Sequence, residues 1–186
     1  VGGIIGVSAG YFGGVYDGVI MRVMDVIMAI PGMMMAICIS VSLGSGVWQT
    51  ALAIAVGTIP VIARQLRGST LLIHDQEYIE AARAIGASDK RIILKHILPN
   101  IIGPVLVTAM LDIGTMMMEL AALSFLGLGA KPPIPEWGSM MSDTRSLMTT
   151  SPWITFSPGI AIFISVMIFN LLGDTIRDYA DPRSRR

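Results

Sequence analysis

HDQEYIEAARAIGASDKRIILKHILPN, residues 74–100, is the polar stretch on which the reading of this chain turns. It is helical in pattern and lies between long apolar runs. Asp75 is placed to cap a helix start, its carboxylate accepting from free N–H groups of the first turn, and Glu77 complements the helix dipole. Gly86 is placed to stop that helix, because glycine takes the left-handed conformation at little steric cost. Between them Tyr78, Ala81, Ala82 and Ile85 recur at i, i+3, i+4 and i+7 as one apolar stripe. Glu77, Glu80 and Arg83 fall on the other side, and the small Ala81–Ala82 pair leaves room for another protein's side chains. Ser88 or Asp89 then caps a second helix that runs through Lys90, Arg91 and Ile93 toward Leu98 and is disturbed at Pro99. Periodicity alone also fits a solvated helix joining two membrane spans.

The composition excludes an ordinary soluble domain: 53% of residues are hydrophobic, 14% are charged, and the mean hydropathy is +0.70. A bilayer is the solvent such a chain needs. Four fuller apolar runs, Val26–Leu43, Val47–Ala63, Ile101–Leu128 and Trp153–Gly173, are each able to cross as a helix that satisfies its own backbone. Val1–Gly14 is apolar but too short to cross, and reads as the tail of a further helix. Pro31, Pro60 and Pro104 are expected to kink or start these helices, and the many glycines suit close helix packing. The expected fold is therefore an all-α, polytopic membrane helical bundle of about five membrane helices, the first one partial, in one domain over residues 1–186.

Basic residues set the orientation. Arg64, Arg67, Arg83, Lys90, Arg91 and Lys95 gather after the second full span, and Arg177, Arg183, Arg185 and Arg186 gather at the C-terminus. With Arg22 these make eleven of the thirteen Lys and Arg, leaving Lys131 and Arg145 in the other connection. The positive-inside tendency places residues 64–100 and the C-terminus in the cytoplasm. The connection from Gly129 to Pro152 is then external, and Pro132, Pro133 and Pro135 exclude a regular helix there. Trp137 and Trp153 suit the membrane–water boundary.

Few residues invite chemistry. No nucleotide-binding loop GxxxxGK[ST] occurs, so another chain must bind any ATP that drives this protein. Cys38 sits alone in an apolar run, His74 and His96 lack the spacing of a zinc site, and the fourteen methionines read as packing and lipid contact. No metal, cofactor or nucleic acid is implied. Asp112 and Glu119 stand out, because they lie within the apolar 101–128 run where a charge is costly. Seven residues apart, they share one helix face at ~10.5 Å of rise, and either bond a neighbouring helix, lie near the outer boundary, or line a translocation path. Arg22 and Asp25, at i and i+3, read as a helix-end pair.

Glu80-Ala81-Ala82, three residues, Gly86, then nine residues before His96-Ile97-Leu98-Pro99 resembles the EAA loop of permease subunits of binding-protein-dependent ABC importers. Where the general family pattern has isoleucine ten residues after the glycine, this chain has His96. ASDKRIILKHILPN, SFLGLGAKPPIPEWGSMM and NLLGDTIRDYADPR resemble the dipeptide, oligopeptide and nickel branch, over nearly the whole chain. The resemblance implies a multi-pass subunit of the cell's inner membrane, importing di- or oligopeptides, with nickel as the alternative cargo. It implies a second permease subunit, the same or related, two cytoplasmic ATPase subunits, and an extracytoplasmic substrate-binding protein. Residues 75–99 would be the loop that couples to the ATPase, through Tyr78, Glu80, Ala81, Ala82, Arg83, Ile85 and Gly86. It also implies an earlier helix and the first part of the present one, so the chain reads as N-terminally truncated. Two other classes compete: an ion-gradient-driven transporter using Asp112 and Glu119, and, more remotely, an intramembrane hydrolase using the same carboxylates.

Overall fold

Each apolar run forms a helix because only a helix closes its own N–H and C=O groups where water is scarce. The computed structural model describes residues 1–180, with side chains through Ile176, and among these residues there are helices and no strand. Helices α1 (Gly2–Phe12), α2 (Gly14–Met28), α3 (Gly32–Leu43) and α4 (Val47–His74) are followed by the short α5 (Glu77–Ala84) and α6 (Asp89–Ile92). A π-helical turn, Ile93–Ile97, leads into α7 (Leu98–Phe125); α8 (Trp137–Thr144), a 3₁₀ turn and α9 (Pro152–Ala180) complete the chain. Arg183, Arg185 and Arg186, and the side chain of Arg177, on which part of the expected orientation rests, lie outside the described residues.

Among the described residues, three helices are long and apolar enough to cross a membrane: Val47–His74, the continuous Asp89–Phe125, and Pro152–Ile176. Helices α2 and α3 make a fourth if taken as one broken span, and α1 is a shorter apolar helix. The run from Val26 to Leu43 is bent by 78° at a break over residues 29–31, where Pro31, expected to kink or start a helix, precedes α3 with φ −53° and ψ 127°. Pro60, Pro104 and also Pro158 lie inside helices.

Two compact units divide the chain, the first made of Val1–Ile30 and Thr58–Leu106, the second of Pro31–Gly57 and the chain from Val107. In the first, α1 lies against α4 along a glycine ridge. A Cβ on Gly2, Gly6 or Gly10 would stand 2.6 Å from the Ile59 carbonyl oxygen, 2.2 Å from that of Ala63 and 2.8 Å from the Thr70 Cβ. Small residues every fourth position let two helix backbones approach where no water drives them together. Helix α2 is tied to α4 by charge instead: Arg67 donates Nε and Nη2 to the two carboxylate oxygens of buried Asp17, and Arg64 donates to Asp25. Asp25 therefore pairs across helices, not with Arg22 as the i, i+3 spacing suggested.

In the second unit, Ala36, Ala53, Ile54 and Leu123 form a small core. The connection from Gly129 to Pro152 is less irregular than its prolines imply, since α8 forms directly after them. Glu136 is its cap, with its carboxylate accepting from the Ser139 N–H at 2.8 Å. The prolines end at 135, so they exclude a helix only upstream of that cap. A Cβ on Gly138 would meet the Ala121 carbonyl oxygen at 2.2 Å, so α8 packs directly on the α7 backbone.

Candidate functional site

The polar stretch folds as two short helices joined by a tight turn within the first unit. Helix α5 begins one residue later than expected: Gln76 is the N-cap and makes no side-chain cap bond. The Asp75 carboxylate instead accepts from His74 Nδ1. The stop falls where glycine required it. Gly86 has φ 81°, its N–H donates to the Arg83 carbonyl, and the Ala87 N–H reaches back to the Ala82 carbonyl at 3.1 Å. This pair of bonds satisfies the last carbonyls of α5 in a Schellman cap. Ser88, in extended conformation, then starts α6, again without a side-chain bond. The second helix is disturbed just before Pro99 rather than at it. The turn before it widens, with the Leu98 N–H bonding the Ile93 carbonyl, and the helix continues into α7.

The expected stripe of Tyr78, Ala81, Ala82 and Ile85 divides between two surroundings. Ile79, which the stripe omitted, is fully buried, and Ala82 is buried beside it, in a core with Val7, Tyr11, Leu66, Ile92, Ile97 and Ile101. Tyr78, Ala81 and Ile85 are exposed, Ile85 at 85%. An eight-residue helix seated on a core by one face leaves the adjoining face to something else. Together with Ala82, Gly86, Ala87, Arg91 and His96, those three exposed residues line a hollow of about 450 Å³. The hollow has an apolar floor, and Arg91 and His96 supply polar groups at its edge.

Behind α5 is a polar cluster that the sequence did not announce. The Tyr11 hydroxyl, from the last turn of α1, donates to Asp89 Oδ1 at 2.6 Å. The Arg83 guanidinium lies 5.3 Å from the centre of the Tyr11 ring, and the His74 ring meets the same ring edge-on at 5.7 Å. Arg83 Nη2 also lies 2.6 Å from His74 Nε2. Arginine has only donors, so Nε2 accepts and the ring proton is on Nδ1, facing Asp75. His74, the last residue of α4, is thus a half-buried helix-end histidine within a network. Glu77 and Glu80 are exposed on the outer side of α5.

Asp112 and Glu119 lie in the second unit, both half-buried on α7. Neither forms a hydrogen bond or ion pair among the described residues. Nearby, a Cβ on Gly114 would stand 3.2 Å from Asn170 Oδ1 and from Val166 of α9. No group of three or more His, Cys, Asp or Glu able to hold a metal occurs among the described residues.

Comparison with known proteins agrees with this architecture. The chain is 47% identical over 173 residues to the glutathione transport system permease protein GsiD of Escherichia coli strain 536, covering 93% of this chain and 57% of that protein. The GsiD of Pectobacterium atrosepticum is 44% identical over 183 residues, covering 98% of this chain and 61% of its own length. The chain thus spans about three fifths of the curated relatives it matches. Among solved structures, the inward-facing MetNI methionine ABC transporter matches at a TM-score of 0.74 and 22% identity, over 97% of this chain and 88% of that one, and shares the fold. Residues 2–186 match the family of binding-protein-dependent transport system inner membrane components, and the chain belongs to that family.

Proposed function

We propose that this chain is the permease domain, residues 1–186, of an ATP-driven, binding-protein-dependent importer, and that residues 75–99 are its coupling loop. The observation that carries this reading is α5 itself. It is held from beneath by Ile79 and Ala82, stopped by Gly86, and presents Tyr78, Ala81 and Ile85 around an open hollow. A partner seated there would meet an apolar floor, with Arg91 and His96 supplying polar groups. Two cytoplasmic ATPase subunits would supply that partner surface, since the chain has no phosphate-binding loop of its own. A second permease subunit would complete the pathway, and an extracytoplasmic binding protein would deliver cargo to the 129–152 side. Loop and C-terminus would then face the cytoplasm, as the basic residues favour.

The cargo we propose is a di- or oligopeptide, a class that includes the glutathione for which the relatives are named. Nickel is the other cargo of the resembled branch; the described residues hold no cluster that favours it. Asp112 and Glu119 would line the translocation path, because half-buried carboxylates on a span are held at lowest cost beside water or a polar passenger. An ion-gradient-driven carrier would use the same two residues but leaves α5 without a task.

Purification of the complete permease from its native membrane tests the reading, as wild type and as Glu80→Lys or Gly86→Trp. An ATPase subunit should travel with the wild type and be lost, or uncoupled, in correctly inserted variants. Transport that persists with no ATPase attached to any form would overturn it.

A further inference from the structure

Beyond the apolar core it shares with Val7 and Leu66, the coupling loop is met by one polar side chain distant in sequence, that of Tyr11. We infer that Tyr11 is a positioning residue that clamps both halves of the loop to α1, so that displacement of α5 reaches α1 and α4 directly; this rests on the coupling-loop reading above. Tyr11 is 5% exposed, and it grips the loop on both sides of the Gly86 turn. Its ring carries the Arg83 guanidinium of α5, and its hydroxyl bonds Asp89, the first residue of α6, across 78 residues of sequence. The same ring takes the edge of His74, the last residue of α4. Three elements therefore meet on one aromatic side chain.

The backbone behind Tyr11 is equally constrained. Gly2, Gly6 and Gly10 bring α1 into backbone contact with α4, so neither helix can slide without the other. Without the Tyr11 hydroxyl, a push on α5 would reach α1 and α4 only through the apolar core that Ile79 and Ala82 share with Val7 and Leu66, and would reach α6 and α7 along the chain through the Gly86 turn. With it, the push also has a directional, hydrogen-bonded route into the α1–α4 pair. Packing alone does not account for the residue. Val7, Leu66 and Ile79 fill the core, whereas the hydroxyl leaves it to reach an exposed carboxylate, and a phenylalanine would fill the same space. The informative atom is the oxygen. A hydroxyl donating to a carboxylate at 2.6 Å is a charge-assisted bond that fixes distance and direction.

The test is the complete importer, with the full-length permease, its ATPases and its binding protein reconstituted in lipid vesicles. Peptide uptake and ATP hydrolysis are measured together for wild type, Tyr11→Phe, Asp89→Ala and Asp89→Asn. Tyr11→Phe keeps the ring and its Arg83 and His74 contacts. It should retain the bound ATPase while uptake per ATP hydrolysed falls about tenfold, the factor that one such bond sets on an equilibrium. Asp89→Ala should do the same, the double variant should be no worse than either single one, and Asp89→Asn, which keeps an acceptor oxygen, should recover most of the coupling. Unchanged uptake per ATP in both Tyr11→Phe and Asp89→Ala overturns the role of Tyr11 and leaves the coupling loop standing. Loss of the ATPase from either variant also overturns it, since the bond would then serve docking. A wild-type permease that binds no ATPase overturns the reading beneath it.

Discussion

Gly86 and Gly6 are both glycines of necessity, for different physical reasons. Gly86 holds φ at 81°, a conformation that costs an L side chain roughly 1–2 kcal/mol. Gly86→Ala should therefore loosen the α5–α6 turn without touching the spans, and hydrogen exchange of the amides over residues 77–92 should accelerate by about tenfold. Gly6 has an ordinary helical backbone but no room: a Cβ there would lie 2.2 Å from a backbone oxygen that cannot swing aside. Gly6→Ala should lower the stability of the detergent-solubilised protein by about 1–3 kcal/mol in thermal unfolding, as overpacking does. Gly18→Ala, where nothing lies within 4 Å, serves as the comparison and should lower it not at all. The Gly86 stop was legible in the sequence, because a helix end leaves its mark within a few residues. The Gly6 contact was visible only as glycine abundance, since its partner Ala63 is 57 residues away.

Helix α2 is joined to α4 by two ion pairs of unequal weight. Asp17 and Arg67 side chains are 13% and 31% exposed, whereas those of Asp25 and Arg64 are 49% and 51% exposed. Arg67→Ala strands a buried carboxylate and should cost about 3 kcal/mol of stability, partly recovered by adding Asp17→Asn. Arg64→Ala breaks a solvated pair and should cost less than about 1 kcal/mol. Denaturant unfolding of the three variants checks the ranking. Neither pair could be read from spacing. Local rules put Arg22 with Asp25 and treated Arg64 and Arg67 as loop cations, while the real partners come from separate helices. The same limit hid Tyr11, whose bond to Asp89 joins the first helix to the sixth. It also misassigned the face of α5: four apolar positions fitted one stripe, but only packing against Val7 and Leu66 decides that Ile79 belongs inside. The long spans needed no such information. Their apolar runs exceed what a soluble core would bury, and the structure keeps them in place, extending Val47–Ala63 and Trp153–Gly173 at their ends and closing α7 at Phe125 rather than Leu128.

At the scale of the chain, the long spans leave most of their apolar residues exposed. In the three long spans only 28%, 17% and 11% of the apolar window is buried, and Phe163 on α9 is 66% exposed. A chain folded in water would invert that distribution. Phe163→Lys should accordingly disfavour membrane insertion of α9 by about 2–3 kcal/mol, whereas Ile134→Lys, in the connection before α8, should leave insertion unchanged. A glycosylation-mapping insertion assay separates the two. The register of everything after α6 depends on the widened turn at residues 93–97. In a plain α-helix, five positions overshoot a full turn by ~140°, so Ile92 and Ile97 could not share a side. The π turn stacks positions five apart, and both residues reach the core together with Ile101. The turn thus behaves as one surplus amino acid absorbed without rotating the span beyond it. A chain lacking exposed Leu94 keeps the phase of α7 by reverting to ordinary winding, with the isoleucines then four apart. A chain with one more residue there has no slack left, and turns the whole of α7, its two carboxylates included, by ~100°.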